Sequence, residues 1–187
     1  MKTEQQYFEQ GMTMEEYMNE MKTDLKEPSL EIYRNFTVDK NDEVIQLLKE
    51  RNPHILAITE DWCGDAMLNN PIIRKIAEAA GVEIRCVYRD EDTDLIDRYL
   101  TNGGRAIPIY LFLNEEGEVL GKWGPRAPEL QQLVVEMRDA LPPKDHPAFE
   151  EKQKEMYTTI QEKYAKDPQS AKWVYEDMKK VIKDILS

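Results

Sequence analysis

The chain's chemistry is concentrated in Trp62-Cys63-Gly64-Asp65-Ala66. The apolar stretch His54 to Thr59 reads as a buried strand and Gly64 to Ala80 as a helix, which places the pentapeptide at a strand-to-helix turn. A cysteine there lies at a helix N-terminus, where the helix dipole and free backbone N–H groups favour a thiolate and hence attack on a disulfide. A second cysteine three residues on would make a dithiol pair, but position 66 holds Ala. Charge opposes the dipole. The helix end favours an anion by about 0.3 to 1 kcal/mol, and an ionised Asp65 about 6 Å away disfavours it by roughly 0.7 kcal/mol even at water's dielectric. The two nearly cancel, so an exposed Cys63 should be a modest nucleophile, titrating within about one unit of a free cysteine's ~8.5. Asp65 itself reads as a helix cap.

The remaining chemical side chains read as structural. Cys86 sits mid-strand among Ile84, Val87 and Tyr88 and reads as a small buried hydrophobe. His54 starts a strand, and the two histidines, His54 and His146, make no zinc site without both cysteines. No metal and no cofactor is expected. Two cysteines are too few for a secreted disulfide framework and fit a reducing compartment. A net charge of −12 over 187 residues argues against a nucleic-acid backbone as partner. The longest strongly apolar run, Ile109 to Leu113, is far too short for a bilayer span. These features predict a cytoplasmic protein that engages neither membrane nor nucleic acid.

Elements on both sides of the motif must position it. Residues 4 to 38 read as helical, with Met14, Tyr17, Met18, Met21 and Leu25 in one stripe and Thr13 with Glu16 as a capping box. Asp42 to Asn52 is a further helix. After the motif helix come a strand at Val82 to Arg89 and a helix at Thr93 to Asn102 ending at Gly103-Gly104. Strands Ile109 to Leu113 and Val119 to Trp123 form a hairpin across Asn114 to Gly117, followed by a helix from Pro128 to Leu141. Beyond Pro142-Pro143, Phe149, Met156, Ile160 and Tyr164 mark one amphipathic helix, and Val174, Met178, Val181 and Ile185 another. A helical pair of this kind has no core of its own and must pack on the domain or on a second subunit.

The order strand, helix, strand, helix, hairpin, helix with Trp-Cys-Gly at the first strand's end resembles the thioredoxin family. Pro71 matches the family's kinking proline eight residues after the first cysteine, and Arg105-Ala106-Ile107-Pro108 matches the segment carrying its cis proline. Gly117 and Gly124 match the glycines of the terminal hairpin. The resemblance covers about residues 42 to 141. It implies an α/β fold: a thioredoxin-like mixed sheet with flanking helices. The N-terminal helical extension (1–41) and the C-terminal helical hairpin (142–187) lie outside the resemblance, and the apolar faces of the hairpin predict that it packs on the domain. The resemblance also implies a cis Ile107-Pro108 bond and a substrate groove bordered by Trp62, Gly64, Asp65, Ile107 and Pro108 around Cys63. Several departures bear on function. Asp65 and Ala66 replace the family's proline and second cysteine, Ala57 replaces its buried carboxylate, and Cys86 stands where its lysine neighbour would be.

Two functions stay open on these residues. One is monothiol thiol-disulfide exchange through Cys63 with protein or low-molecular-weight thiols and disulfides, resolved by an external thiol because Ala66 cannot resolve it. The other is a non-catalytic thioredoxin-fold binding or scaffold module. The oligomeric state is not specified by the sequence.

Overall fold

Side-chain caps set the first helices. The computed structural model describes residues 1–187. Thr3 and Gln6 close a capping box on α1 (Glu4–Gln10). Thr13 accepts from the Glu16 amide at the start of α2 (Met14–Glu20). Between these helices Met12–Thr13 forms a short strand, β1, and α3 (Lys26–Asn35) follows α2. The continuous helical stretch expected over 4–38 is therefore divided. Gly11 supplies the reason: a Cβ there would lie 3.0 Å from the Cys86 carbonyl oxygen, so the absence of a side chain eases the close approach that lets Met12 pair with Cys86.

The α/β order read from the sequence is present. Asp42 caps α4 (Glu43–Arg51) through the Val44 amide. Then come β2 (His54–Thr59), α5 (Gly64–Ala80, with Pro71 inside), β3 (Ile84–Tyr88), α6 (Thr93–Asp97), β4 (Ile109–Leu113), β5 (Val119–Trp123) and α7 (Pro128–Asp139). The sheet order is β1-β3-β2-β4-β5; only β2 and β3 are parallel. Helix α6 stops at Asp97 rather than Asn102, because Thr101 and Gly104 exchange backbone hydrogen bonds at 2.9 Å and Asn102 and Gly103 adopt positive φ. The Ile107-Pro108 bond is cis, as is Gly124-Pro125.

Alternation along β2 divides the apolar residues between two clusters. Ile55 and Ala57 join the large one with most of α5, while Leu56 and Ile58 join a smaller one with Tyr7, Phe8, Leu95, Ile96, Cys63 and Ile107. Ala57 pairs in register with Cys86, so two of the four positions where this chain departs from the dithiol pattern are neighbours.

The tail forms α8 (Phe149–Lys166) and α9 (Pro168–Leu186). Helix α9 buries Val174, Met178, Ile182 and Leu186 at four-residue spacing, while Val181 and Ile185, expected inside, flank this stripe half-buried. Trp123 Nε1 donates to Asp177 (2.8 Å), and Asp42 accepts from Tyr175 (2.9 Å) and pairs with Lys179 (3.0 Å). Gly121 leaves room for Ile185, whose Cγ1 lies 2.6 Å from where a Cβ would stand. Helix α8 buries Met156, Ile160 and Tyr164 and lies across the start of α5. No helix is long and apolar enough to cross a membrane.

Candidate functional site

Gly64 opens α5 immediately after β2 and its turn, which leaves Cys63 at the N-cap position. The Cys63 side chain donates from Sγ to the Ile107 carbonyl at 3.5 Å and is 8% exposed. Burial is the main cause that pushes its thiol pKa up, to about 12, and the Asp65 charge adds to the rise. The amides of Ala66 and Asp65 and the Arg126 charge pull the other way without prevailing. This corrects the expectation of an exposed cysteine with a near-normal pKa. That balance weighed dipole against Asp65 and omitted desolvation, which outweighs both.

Asp65 is not the helix cap. Its carboxylate pairs with Arg126 Nη2 at 2.9 Å and accepts from the Tyr164 hydroxyl at 2.8 Å. Burial raises the Asp65 pKa, and Arg126 and Tyr164 oppose the rise. Asn69 of α5 donates to the Pro125 carbonyl at 2.8 Å, fixing the backbone beside Arg126, whose Nη1 donates to Gln131 at 2.7 Å. Arg126 and Tyr164 therefore meet Asp65 from the loop before α7 and from α8.

These groups surround a cleft of about 360 Å³ between the motif and α8. Trp62, Cys63, Gly64 and Asp65 form one side; Tyr157, Ile160, Gln161 and Tyr164 form the other, and Val134 and Arg126 complete it. The rim is aromatic: Trp62 is 50% exposed and Tyr157 48%. The Arg89 guanidinium lies 5.0 Å from the centroid of the Trp62 ring. Gln161 Cγ would stand 3.1 Å from a Cβ on Gly64, so α8 rests against the first turn of α5. Ile107 and Pro108 are buried behind the thiol and line no part of this cleft.

Cys86, the other free cysteine, belongs to the large cluster with its Sγ 3.5 Å from Met14 Sδ, whereas Cys63 belongs to the small one. Burial raises its pKa. No three His, Cys, Asp or Glu side chains converge as metal ligands would.

A family model described as thioredoxin matches residues 11–141. The chain belongs to the thioredoxin family. Two solved structures share the fold of this thioredoxin-family protein. An HIV epitope scaffold is 18% identical with a TM-score of 0.67, covering 98% of this chain and 99% of that one. A protein of unknown function from Pseudomonas aeruginosa is 16% identical with a TM-score of 0.61, covering 88% and 96%. No curated protein matches the chain. The family match begins at residue 11, so it takes in β1, α2 and α3 as well as the stretch from Asp42 on which the resemblance was read.

Sequence reasoning missed Arg126, Gln161, Tyr157 and Val134, and placed Tyr164 only on an apolar stripe. Tyr164 does share that stripe with Met156 and Ile160, but periodicity carries no information on which surface a stripe covers. Arg126 stood in a loop after Gly124-Pro125, with no local signal of a carboxylate partner 61 positions earlier.

Proposed function

We propose that this thioredoxin-family protein performs monothiol thiol-disulfide exchange through Cys63, with an external thiol completing the reaction. The observation that carries this reading is that Cys63 is the only thiol on the cleft: Ala66 occupies the next turn and Cys86 belongs to the other cluster. In the first step the Cys63 thiolate attacks one sulfur of a disulfide. The new Sγ–S bond forms as the old S–S bond breaks, and the departing thiolate takes up the proton that Cys63 gave up. A second thiolate then attacks the mixed disulfide and releases Cys63. Trp62, Gly64 and Asp65 border the entering group, and Ile107 holds the thiol through its carbonyl with Pro108 behind it. A reducing, cytoplasmic setting would keep both cysteines free and supply the second thiol.

Such a centre is slow at rest. A rise in thiol pKa from 9.0 to about 12 removes about three orders of magnitude of thiolate at neutral pH, and higher intrinsic nucleophilicity returns somewhat more than one order. The net is a thiol roughly 30- to 100-fold slower than an ordinary cysteine. This fits a protein that acts on a bound substrate, not a general disulfide reductase.

Burial of Cys63 favours the second reading, a binding module in which the cleft holds a ligand and the thiol is only part of its wall. Intact-mass analysis after exposure to excess small disulfide separates the two. Exchange predicts one adduct, absent in Cys63→Ser and removed by added thiol. An unmodified chain at alkaline pH would leave the binding module.

A further inference from the structure

Building on the monothiol reading, we infer that the disulfide reaching Cys63 belongs to a small, largely uncharged molecule with an aromatic or aliphatic body, not to a protein loop. Access is the first argument. The thiol is 8% exposed, Ile107 and Pro108 are buried behind it, and the Ile107 carbonyl already accepts from Sγ at 3.5 Å. What remains open is the cleft under α8, whose volume of about 360 Å³ falls in the range of roughly 300 to 1,000 Å³ that small-molecule sites occupy. Gln161 rests against Gly64, so α8 covers the first turn of α5 beside Cys63 and narrows the approach of a polypeptide strand relative to that of a small molecule.

The lining gives the chemistry. Trp62 and Tyr157 present half-exposed rings at the rim, and Val134 and Ile160 continue the apolar wall. The two charged groups in the cleft, Arg126 and Asp65, are 2.9 Å apart and neutralise each other, so the site offers no net charge to an ionic substrate. Stacking and burial of a flat or aliphatic body are what it can reward. A slow thiol adds a requirement for prior association, since holding the disulfide against Sγ raises its effective concentration.

The test compares 2,2′-dipyridyl disulfide with insulin as disulfide donors to the full chain at pH 9, reading the Cys63 adduct by mass and normalising each rate to that of N-acetylcysteine with the same donor. The normalised preference for the small aromatic disulfide should be at least about tenfold, or about 1.4 kcal/mol, and Tyr157→Ala, altering an exposed rim residue, should reduce it. Equal normalised rates, a preference for insulin, or a preference untouched by Tyr157→Ala would overturn the inference while leaving monothiol exchange standing. Failure of every disulfide to modify Cys63 would remove the monothiol reading itself.

Discussion

Helices α8 and α9 are nearly equal in length, both amphipathic and adjacent in sequence, yet they are held differently. Helix α9 buries five of its 19 residues, including an apolar side chain at every turn from Val174 to Leu186, and its polar flank is tied to α4 and β5 through Asp42, Glu43 and Trp123. Helix α8 buries three of its 18 residues. Its specific contacts fall on the motif: Tyr164 on Asp65 and Gln161 against Gly64. Both helices add to the same large apolar cluster, but only α8 also encloses the cleft at Cys63. An apolar stripe announces that a helix will dock; the polar groups beside the stripe decide whether docking serves stability or chemistry.

The contrast can be broken or sharpened by substitution. The largest effect is expected in α9, where Met178→Ala removes a fully buried side chain and should cost about 2 to 5 kcal/mol. Ile160→Ala in α8 should cost less than that, because one side of Ile160 already faces the cleft. Chemical denaturation of both variants checks the order, and an equal or larger loss at Ile160 would erase the distinction between core helix and roof.

Asp65→Asn should act on both chemistry and folding, since it also leaves the Arg126 guanidinium without its carboxylate partner. It removes the carboxylate charge that raises the Cys63 pKa and keeps the Arg126 charge that lowers it, so the balance moves toward the thiolate. Each unit by which the thiol pKa falls corresponds to about 1.4 kcal/mol, and alkylation of Cys63 at pH 8 should quicken by roughly three- to fourfold for that unit after allowance for the weaker nucleophile. An unchanged rate would mean that Asp65 and Cys63 are not coupled. Tyr164→Phe removes one hydrogen bond to the buried carboxylate, and a loss of about 1 to 3 kcal/mol is expected, read by thermal unfolding.

The smallest effect concerns pH. Burial raises the Asp42 pKa, but hydrogen bonds from Lys179, Tyr175 and Val44 more than offset this and leave it lowered. A carboxyl depressed on folding contributes stability above its unfolded pKa, and that contribution is lost as pH falls through the folded value. Asp42→Asn should therefore narrow the difference in stability between pH 6 and pH 3, by about 1 kcal/mol. An identical acid profile in wild type and variant would show that Asp42 does not fasten α9.

Much of the fold was legible because its signals are local. Strand-length apolar runs, Gly81 and Asn52 at left-handed helix ends, and the turn at Asn114 to Gly117 each specify structure within a few residues. The short strand β1 was not legible from periodicity, since two residues cannot display a period, although Gly11 inside an otherwise helical stretch was a usable break signal. At the site, Cys63 and its neighbours in sequence could be identified, but their environment could not. Arg126 and Tyr164 reach Asp65 across long sequence separations, and the burial that governs the thiol comes from packing among Ala66, Leu56, Ile58 and Ile107 and from the roof of α8. Desolvation is a property of the assembled surface, so a balance struck from the helix dipole and one carboxylate was bound to misjudge it.

The central claim is that Cys63 is a protonated, enclosed thiol at rest, and the pH dependence of its alkylation tests this most directly. Iodoacetamide labelling of the native chain, followed at Cys63 by peptide mass analysis between pH 7 and pH 10, should rise about tenfold per pH unit with no plateau, because only the thiolate reacts and the thiol pKa stands at about 12. A rate that levels off by pH 10 would contradict the account, since an ordinary cysteine with a pKa of about 8.5 is almost fully ionised there.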